Sequence, residues 1–541
     1  MTTEALLLAG SLLYAWHVLA PNTGWVPFIS TAPWLLVLMR GRAWSYRRVC
    51  LVFGVTFYGV SLLATPWLRS FTVLGWILAP LFYLPFFILA PLLTHHLLRI
   101  RPTVPLLVVW PLAFTTAEWL RIRMSAGEVP LLQLGTGLVS HSTLAQVADL
   151  TGVSGLTALA CMTAALAAMA AHTLLRGERG RPELRTLGLQ ALAVGLVLTG
   201  IWTYGKVRLS QAEFRRGPTV LVIQHDFHGW MTPSDAARQH ADLVRLTRAG
   251  VAGRDVDIVV WPENTVASLD PADPLLSRIQ ALARQLDVAI LVDGPSTSPA
   301  GVVHHTTALV SGERGWPWYD KVALVPWSEY LPFAPALRRV SPASAEAFGR
   351  LVRFSNPHFV GMDPGERVHT LAFHGREGER YDVATPICYE ALSPRLVASF
   401  FSESSAPHAG AFVLNPVSER LLGGPIHEQT LALTRLRAIE NRVTIMRASN
   451  NGISAAIDPD GRPYAWVKKP GGGYAVDQAG YFVADVILDG RFGTVYTRVG
   501  DWLPASFLVC LLVMMWPGRR GTSRHHAEGG TGSARGAATP S

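Results

Sequence analysis

The sequence predicts two architectures in one chain: a multi-span α-helical membrane domain and, ahead of its last span, an α/β domain. Three observations predict this. Half of the 541 residues are hydrophobic and only 16% are charged, with a mean hydropathy of +0.27, values that suit a membrane protein better than a soluble one. Apolar runs of near bilayer-crossing length recur up to about residue 205 and once more near residue 501. Between them, from about residue 219, the runs become short and β-branched.

A helix needs about 20 apolar residues to cross the hydrocarbon core. Candidate spans are 4–21, 24–39, 49–67, 71–98, 103–120, 154–175, 187–205 and 501–517. The second is short, and the fourth is long enough for a tilted or a broken span. The first begins Met-Thr-Thr-Glu and lacks a basic start, so it reads as a retained helix and not a cleaved signal. The net charge of +9 gathers at the ends of the apolar runs, as Arg40, Arg42, Arg47 and Arg48, then Arg99 and Arg101, then Arg176, Arg179, Arg181 and Arg185, then Arg519, Arg520 and Arg524. With eight spans all four groups fall on one side, which the positive-inside rule makes cytoplasmic. Arg121 and Arg123 are the exception. The basic balance is therefore read as membrane orientation, with no nucleic acid as partner. The expected domains are 1–210 (about seven transmembrane helices), 219–498 (extracytoplasmic), 501–517 (a final span) and 518–541, a disordered cytoplasmic tail rich in Gly, Ser, Arg and His.

Within the insert, TVLVIQHD (219–226), VDIVVWPE (256–263), VAILVDGPS (288–296), YDVATPICYE (381–390), GAFVLNP (410–416) and VTIMRASNNG (443–452) read as buried strands. In 272–286, Leu275, Ile279, Leu282 and Leu286 mark one helical face. Strands alternating with helices imply a largely parallel or mixed sheet covered by helices. Chemistry in such sheets gathers at the carboxyl ends of strands, and three reactive side chains fall there or in the following loops: Glu263, Lys321 and Cys388.

Each has an ordinary reading. A free cysteine is most often a buried small hydrophobe, an acid after a Pro turn is most often at the surface, and a lone lysine is usually solvated. Against these, Cys388 closes an apolar strand and has no cysteine partner, since Cys50, Cys161 and Cys510 lie in apolar runs. A nucleophilic thiol needs a base or a cation beside it. Glu263, between apolar neighbours, would have its pKa raised toward that of a general base. Lys321, ahead of an apolar and aromatic stretch, would hold an oxyanion. His304, His305, His358 and His374 show no compact ligand spacing and read as surface or loop residues, so no metal is expected.

Glu263 in VVWPEN, Lys321 in YDKVALVPWSEYLPF and Cys388 in ATPICYE, in that order, resemble the nitrilase superfamily. The membrane flanks narrow the resemblance to the bacterial apolipoprotein N-acyltransferase family. It implies an αββα sandwich with a Glu263–Lys321–Cys388 triad and no cofactor. The implied reaction moves an acyl chain from a membrane phospholipid, through a Cys388 thioester, to the α-amine of a diacylglyceryl-modified N-terminal cysteine on an apolipoprotein. The enzyme would act as a monomer in the cytoplasmic (inner) membrane, with its catalytic domain on the periplasmic side.

By the same resemblance Glu329 matches a second essential acid, and Tyr389 and Glu390 match the residues after the nucleophile. Gln224 ends the first strand where the family has a Gln. Ser449-Asn450-Asn451-Gly452 matches a late turn in which Gly suits positive φ. Read from the residues alone, Glu329 and Glu390 could equally be solvated acids. The aromatic residues Trp316, Trp318, Trp327, Tyr330 and Phe333 surround Lys321 in sequence; of these Trp327 and Tyr330, with Trp230, are candidates for lining a lipid groove that opens to the membrane. One stretch departs from the pattern. Where many relatives carry a Ser-Asn-Asp-Ala-Trp-Phe type loop, this chain reads LNPVSERLLGGPIHEQ (414–429). The alternatives are a membrane-tethered amidase or hydrolase with the same triad, a paralogous N-acyltransferase with another amine acceptor, and a polytopic binding protein with a decayed site.

Overall fold

The computed structural model describes residues 1–124, 128, 130–176, 181–227, 233–313, 315–355, 359, 361–376, 378–402 and 410–516; the tail expected at 518–541 and Trp230 lie outside them. Each apolar run is helical: Thr3–Leu19, Pro27–Ser30 with Ala32–Arg40, Tyr46–Ala64, Val73–Ile100, Leu106–Met124, Val153–Arg176, Arg181–Ser210 and Trp502–Met515. The stretch 24–39 is two short helices that meet at Thr31. The fourth run is one continuous helix of 28 residues despite Pro80, Pro85 and Pro91. Among the described residues, four helices are by themselves long and apolar enough to cross a membrane: Tyr46–Ala64, Val73–Ile100, Val153–Arg176 and Pro182–Ser210. The last buries almost nothing. Leu189, Leu192, Leu196 and Trp202 point away from the protein, as a lipid-facing helix must.

The α/β region holds two six-stranded sheets among the described residues. The first orders its strands β12 (Gly480–Asp489), β1 (Phe214–Gln224), β2 (Ile258–Val260), β3 (Ala289–Thr297), β4 (Val303–Val310) and β5 (Trp318–Asp320). The second orders β11 (Pro463–Trp466), β10 (Ala455–Ile457), β9 (Ile445–Asn450), β8 (Ala411–Ser418), β7 (Arg380–Ala384) and β6 (Leu371–His374). In each sheet the three central strands run parallel and the outer ones antiparallel. Strand alternation explains the layering. Val220 and Val222 of β1 face the core shared with Val383, Phe412, Leu414 and Met446. Leu221 and Ile223 face the outer helices. This is the sandwich that the resemblance implies; the alternation of strands and helices by itself implies only a parallel or mixed sheet covered by helices. One detail differs: the helix Pro274–Leu286 buries Leu276, Ile279, Leu282 and Ala283, so Leu275 and Leu286 flank the apolar face and do not centre it.

The helix Ile426–Asn441 is the seam between the two regions. Leu436 and Ile439 enter the core of the transmembrane helices, while Leu431 and Ala438 enter the core between the sheets. Most of its polar residues are buried. Glu440 accepts from Arg437 at 2.8 Å and from the backbone N–H of Val153 at 3.0 Å. Just past the helix, Arg442 donates to Asp149 at 2.6 Å and to Asp460 at 2.8 Å.

Candidate active site

Glu263 follows β2 through Trp261 and Pro262. The Trp261 ring is buried and donates to Thr247 at 3.0 Å, which anchors the turn. Asn264 then takes a positive φ of 60°, and its N–H donates to Asp293 at 2.7 Å. Glu263 is left pointing inward, buried. Lys321 follows β5 directly. Its backbone N–H donates to the carbonyl of His305 on β4 at 2.8 Å, and its side chain is wholly buried. The ammonium lies 2.7 Å from Glu329 and 3.9 Å from Glu263. Glu329 also accepts the Val325 N–H at 2.8 Å.

Cys388 opens the short 3-10 turn Cys388–Leu392 after β7. Its φ of 51° is unusual for a residue with a side chain and turns the thiol back toward the first sheet. There the thiol lies within electrostatic reach of Glu263 and Lys321 and near the Ser418 backbone at the end of β8. Glu390 makes the turn possible. One of its oxygens accepts from the Tyr319 hydroxyl at 3.0 Å and from the Val322 and Ala323 N–H groups at 2.8 Å each. The other accepts from Ile387 N–H at 2.9 Å. Glu390 is buried, as is Glu329 on the side that meets Lys321, so neither acid is the solvated one that the residues alone allowed.

The electrostatics follow from burial. Burial pushes the Cys388 thiol well above its usual range, and the Glu263 carboxylate adds to this against the pull of Lys321. Burial likewise raises Glu263, held back by Lys321 and His305. Burial alone would raise Glu329 too, but Lys321 and His305 hold it at about 2. Lys321 loses to burial and gains more from Glu329 and Glu263, so it stays charged with a raised pKa. The resting state is a protonated thiol against a basic carboxyl, beside a locked ion pair.

Other residues fall where the sequence did not put them. His305, read as a surface or loop residue, is buried on β4 with Nε2 2.8 Å from Asp293, and it faces Glu263 and Glu329. Glu263, His305 and Glu329 bring ligand atoms within 4.8 Å of one another. The Lys321 ammonium already supplies the cation there, so the cluster reads as an ion-pair network. Alternation along VVHHTTALV could have found His305, because it shares the inward face with Thr307 and Leu309. His304 on the opposite face bonds Asp363 and is partly exposed, and His374 is exposed; His358 lies outside the described residues. Arg420, in the departing stretch, lies within electrostatic reach of Glu263. Gln224 ends β1 and bonds Ala475, Gln478 and Ser454. In the 449–452 turn it is Asn451 that has positive φ, at 51°. Gly452 is needed for a different reason: a Cβ there would strike the Glu419 carboxylate.

The segment after Lys321 packs against the transmembrane region. Trp327, itself at a φ of 66°, meets Phe82 of the helix Val73–Ile100 at 6.4 Å between ring centroids. Phe333 meets the same ring at 5.6 Å. Tyr389 and Tyr330 lie within electrostatic reach of each other and of Tyr83. Trp316 packs instead on the outer face of the first sheet, and Trp318 is exposed on β5.

Residues 10–166 match the apolipoprotein N-acyltransferase N-terminal domain, and residues 219–469 match the carbon-nitrogen hydrolase family. The chain is 27% identical over 482 residues to an apolipoprotein N-acyltransferase of Geobacter metallireducens, covering 84% of this chain and 85% of the relative. It is 28% identical over 483 residues to that of Bradyrhizobium diazoefficiens, covering 85% and 81%. Among solved structures, an amidase from Nesterenkonia sp. AN1 is similar at 17% identity, covering 50% of this chain and 92% of the amidase, with a TM-score of 0.35.

Proposed function

The chain belongs to the apolipoprotein N-acyltransferase family, and from that premise we propose that it acylates lipoproteins in the bacterial inner membrane by way of a thioester on Cys388. The donor is a membrane phospholipid. The acceptor is the α-amine of a diacylglyceryl-modified N-terminal cysteine.

In the first half-reaction Cys388 Sγ attacks the ester carbonyl as Glu263 takes the thiol proton. The oxyanion is met by the Lys321 ammonium and by backbone N–H groups around the nucleophile turn. Collapse breaks the ester C–O bond, and Glu263 returns the proton to the departing lysophospholipid oxygen. In the second half-reaction the amine attacks the thioester, Glu263 accepts its proton, and the thiol is regenerated. The covalent intermediate divides one difficult transfer into two. Glu329 keeps Lys321 charged and aimed. Glu390 holds the nucleophile turn against the lysine loop. Trp327, Tyr330 and Tyr389 line the way from the membrane helices. The arginine-rich loops, through the positive-inside rule, support a catalytic region on the periplasmic side.

One observation supports this reading: the Glu263 carboxylate lies 3.9 Å from the buried Lys321 ammonium, itself 2.7 Å from Glu329, with the Cys388 thiol within electrostatic reach of both Glu263 and Lys321, and the segment after Lys321 meets Phe82 of the helix Val73–Ile100 through Trp327 and Phe333. The test is to incubate the purified enzyme with phospholipid alone and weigh the Cys388 peptide. An acyl adduct that discharges onto a diacylated lipopeptide is the expected result. Discharge to water alone makes the enzyme a hydrolase, and full transfer by Cys388→Ala would overturn the mechanism.

A further inference from the structure

Behind the triad stands a buried pair to which the sulfur chemistry gives no role. Asp293 on β3 pairs with Thr307 on β4, so His305, two residues before Thr307, is its diagonal neighbour on the same face. Both ring nitrogens of His305 face carboxylates. Nε2 lies 2.8 Å from Asp293 Oδ1, and Nδ1 lies 3.5 Å from Glu329 Oε1. A neutral imidazole has one N–H and one lone pair. Either tautomer would set that lone pair toward a carboxylate in a buried site. The imidazolium alone presents an N–H to both carboxylates, as a hydrogen bond at Nε2 and a longer ion-pair contact at Nδ1.

The pair also reaches the proton acceptor. Asp293 Oδ1 accepts the N–H of Asn264, the residue after Glu263, at 2.7 Å. His305 Nε2 lies 3.8 Å from Glu263 Oε1. The charged groups facing the ring are Asp293 from β3, Glu263 from the turn after β2, and Lys321 and Glu329 from the segment after β5.

We propose that His305, held as an imidazolium between Asp293 and Glu329, is a second fixed cation of the site and a positioning residue for Glu263. With Lys321 as the sole cation, three carboxylates would face one positive charge, and Glu263 would relieve the excess by keeping a proton of its own. With His305 charged, Glu263 is free to take the proton of the thiol. The raised basicity of the ring agrees: burial opposes its charge, but Asp293 and Glu329 outweigh burial and lift its pKa to about 10. The inference rests on the Glu263–Lys321–Cys388 reading above.

The test is the pH profile of Cys388 acylation by phospholipid in the full-length enzyme, for the wild type and for His305→Gln and His305→Asn. The active form has one proton shared by Glu263 and Cys388, and a second proton on the pair silences it at low pH. Loss of the neighbouring cation raises the affinity of the pair for that second proton. The acidic limb should therefore move up by about one pH unit or more. Variants that acylate more slowly at every pH, with the limb unmoved, would show a merely structural residue and overturn the inference while leaving the mechanism intact. No adduct on the wild type overturns both. A second measurement needs only subtraction of a variant spectrum: in the ¹⁵N-histidine-labelled wild type, the His305 ring should keep imidazolium shifts above neutral pH. Neutral-ring shifts there overturn the inference as well.

Discussion

Two clusters of buried charge sit on either side of the seam helix, and they are balanced differently. At the seam, Arg208, Arg442 and Arg491 meet Asp149, Asp460 and Asp489, cation for anion, at 2.5 to 2.8 Å. At the active site, Lys321 and His305 meet Glu263, Glu329 and Asp293, and one acid is in excess. Matched buried charges hold two regions in register, and breaking one pair leaves its partner stranded at high cost. An unmatched acid keeps an affinity for protons, and Glu263 is that acid: its nearest cation in the site is shared with Glu329. The difference teaches that the working group of this protein is the one its own network leaves incompletely paired.

Substitutions should separate the clusters. The largest effect is expected for Cys388→Ala, which should lower acyl transfer on the order of 10⁴-fold or more and leave the thermal midpoint of the purified enzyme nearly unchanged. Glu263→Gln should cost roughly 10²- to 10⁴-fold in acylation rate, again without unfolding; a melt lowered as far as the rate would erase the distinction drawn above. Arg442→Met should do the reverse. It leaves Asp149 with Arg208 alone and Asp460 with Arg491 alone, so three acids face two arginines; it should cost up to about 3–5 kcal/mol of stability in a thermal or denaturant melt and barely alter the rate per folded molecule. Glu390→Gln replaces one accepting oxygen by an N–H₂, which faces the Ile387 N–H in one amide orientation and the Tyr319, Val322 and Ala323 donors in the other. It should slow acylation by roughly 10- to 100-fold through misplacement, read as a fall in single-turnover rate at saturating phospholipid.

The smallest effect is the pH dependence of stability. Burial favours the protonated forms of Glu329 and Glu419, but Lys321 and Arg447 respectively outweigh it and hold each at about 2 from an ordinary 4.5. A lowered folded pKa stabilises above the unfolded value, so this contribution, on the order of 2 kcal/mol per group, should fade as pH falls from 4.5 toward 2. His305 has the opposite sign. With a pKa raised from 6.5 to about 10, its contribution is complete below 6.5 and fades as pH rises through 10. Denaturant midpoints across pH should show both flanks. A midpoint that is flat at the alkaline end in wild type and His305→Gln alike would remove the imidazolium from the balance.

The legible parts of the sequence were those with local period or local punctuation. Apolar runs placed the helices, and β-branched runs ending in WPE and ICYE placed Glu263 and Cys388 near strand ends, with Lys321 in a loop that the structure puts directly after the short strand β5. What escaped was set by pairing between distant strands. Alternation alone could have turned His305 inward, but that its ring meets Asp293 follows only once β3 and β4 come into register. The face of the helix Pro274–Leu286 was read one residue out, because its apolar positions allow two overlapping stripes and the sheet chooses between them. The departing stretch 414–429 had looked like a change of loop. In the fold it is mostly the end of β8 and the start of the seam helix, and it brings the Ser418 backbone near Cys388 and Arg420 within electrostatic reach of Glu263.

Glu390 has one last consequence. Its two oxygens grip the lysine loop, through Val322 and Ala323, and the nucleophile turn, through Ile387. A displacement of one segment is therefore passed to the other through a single buried carboxylate, and any motion that separates the two sheets has to break these bonds before it can part the thiol from the ammonium.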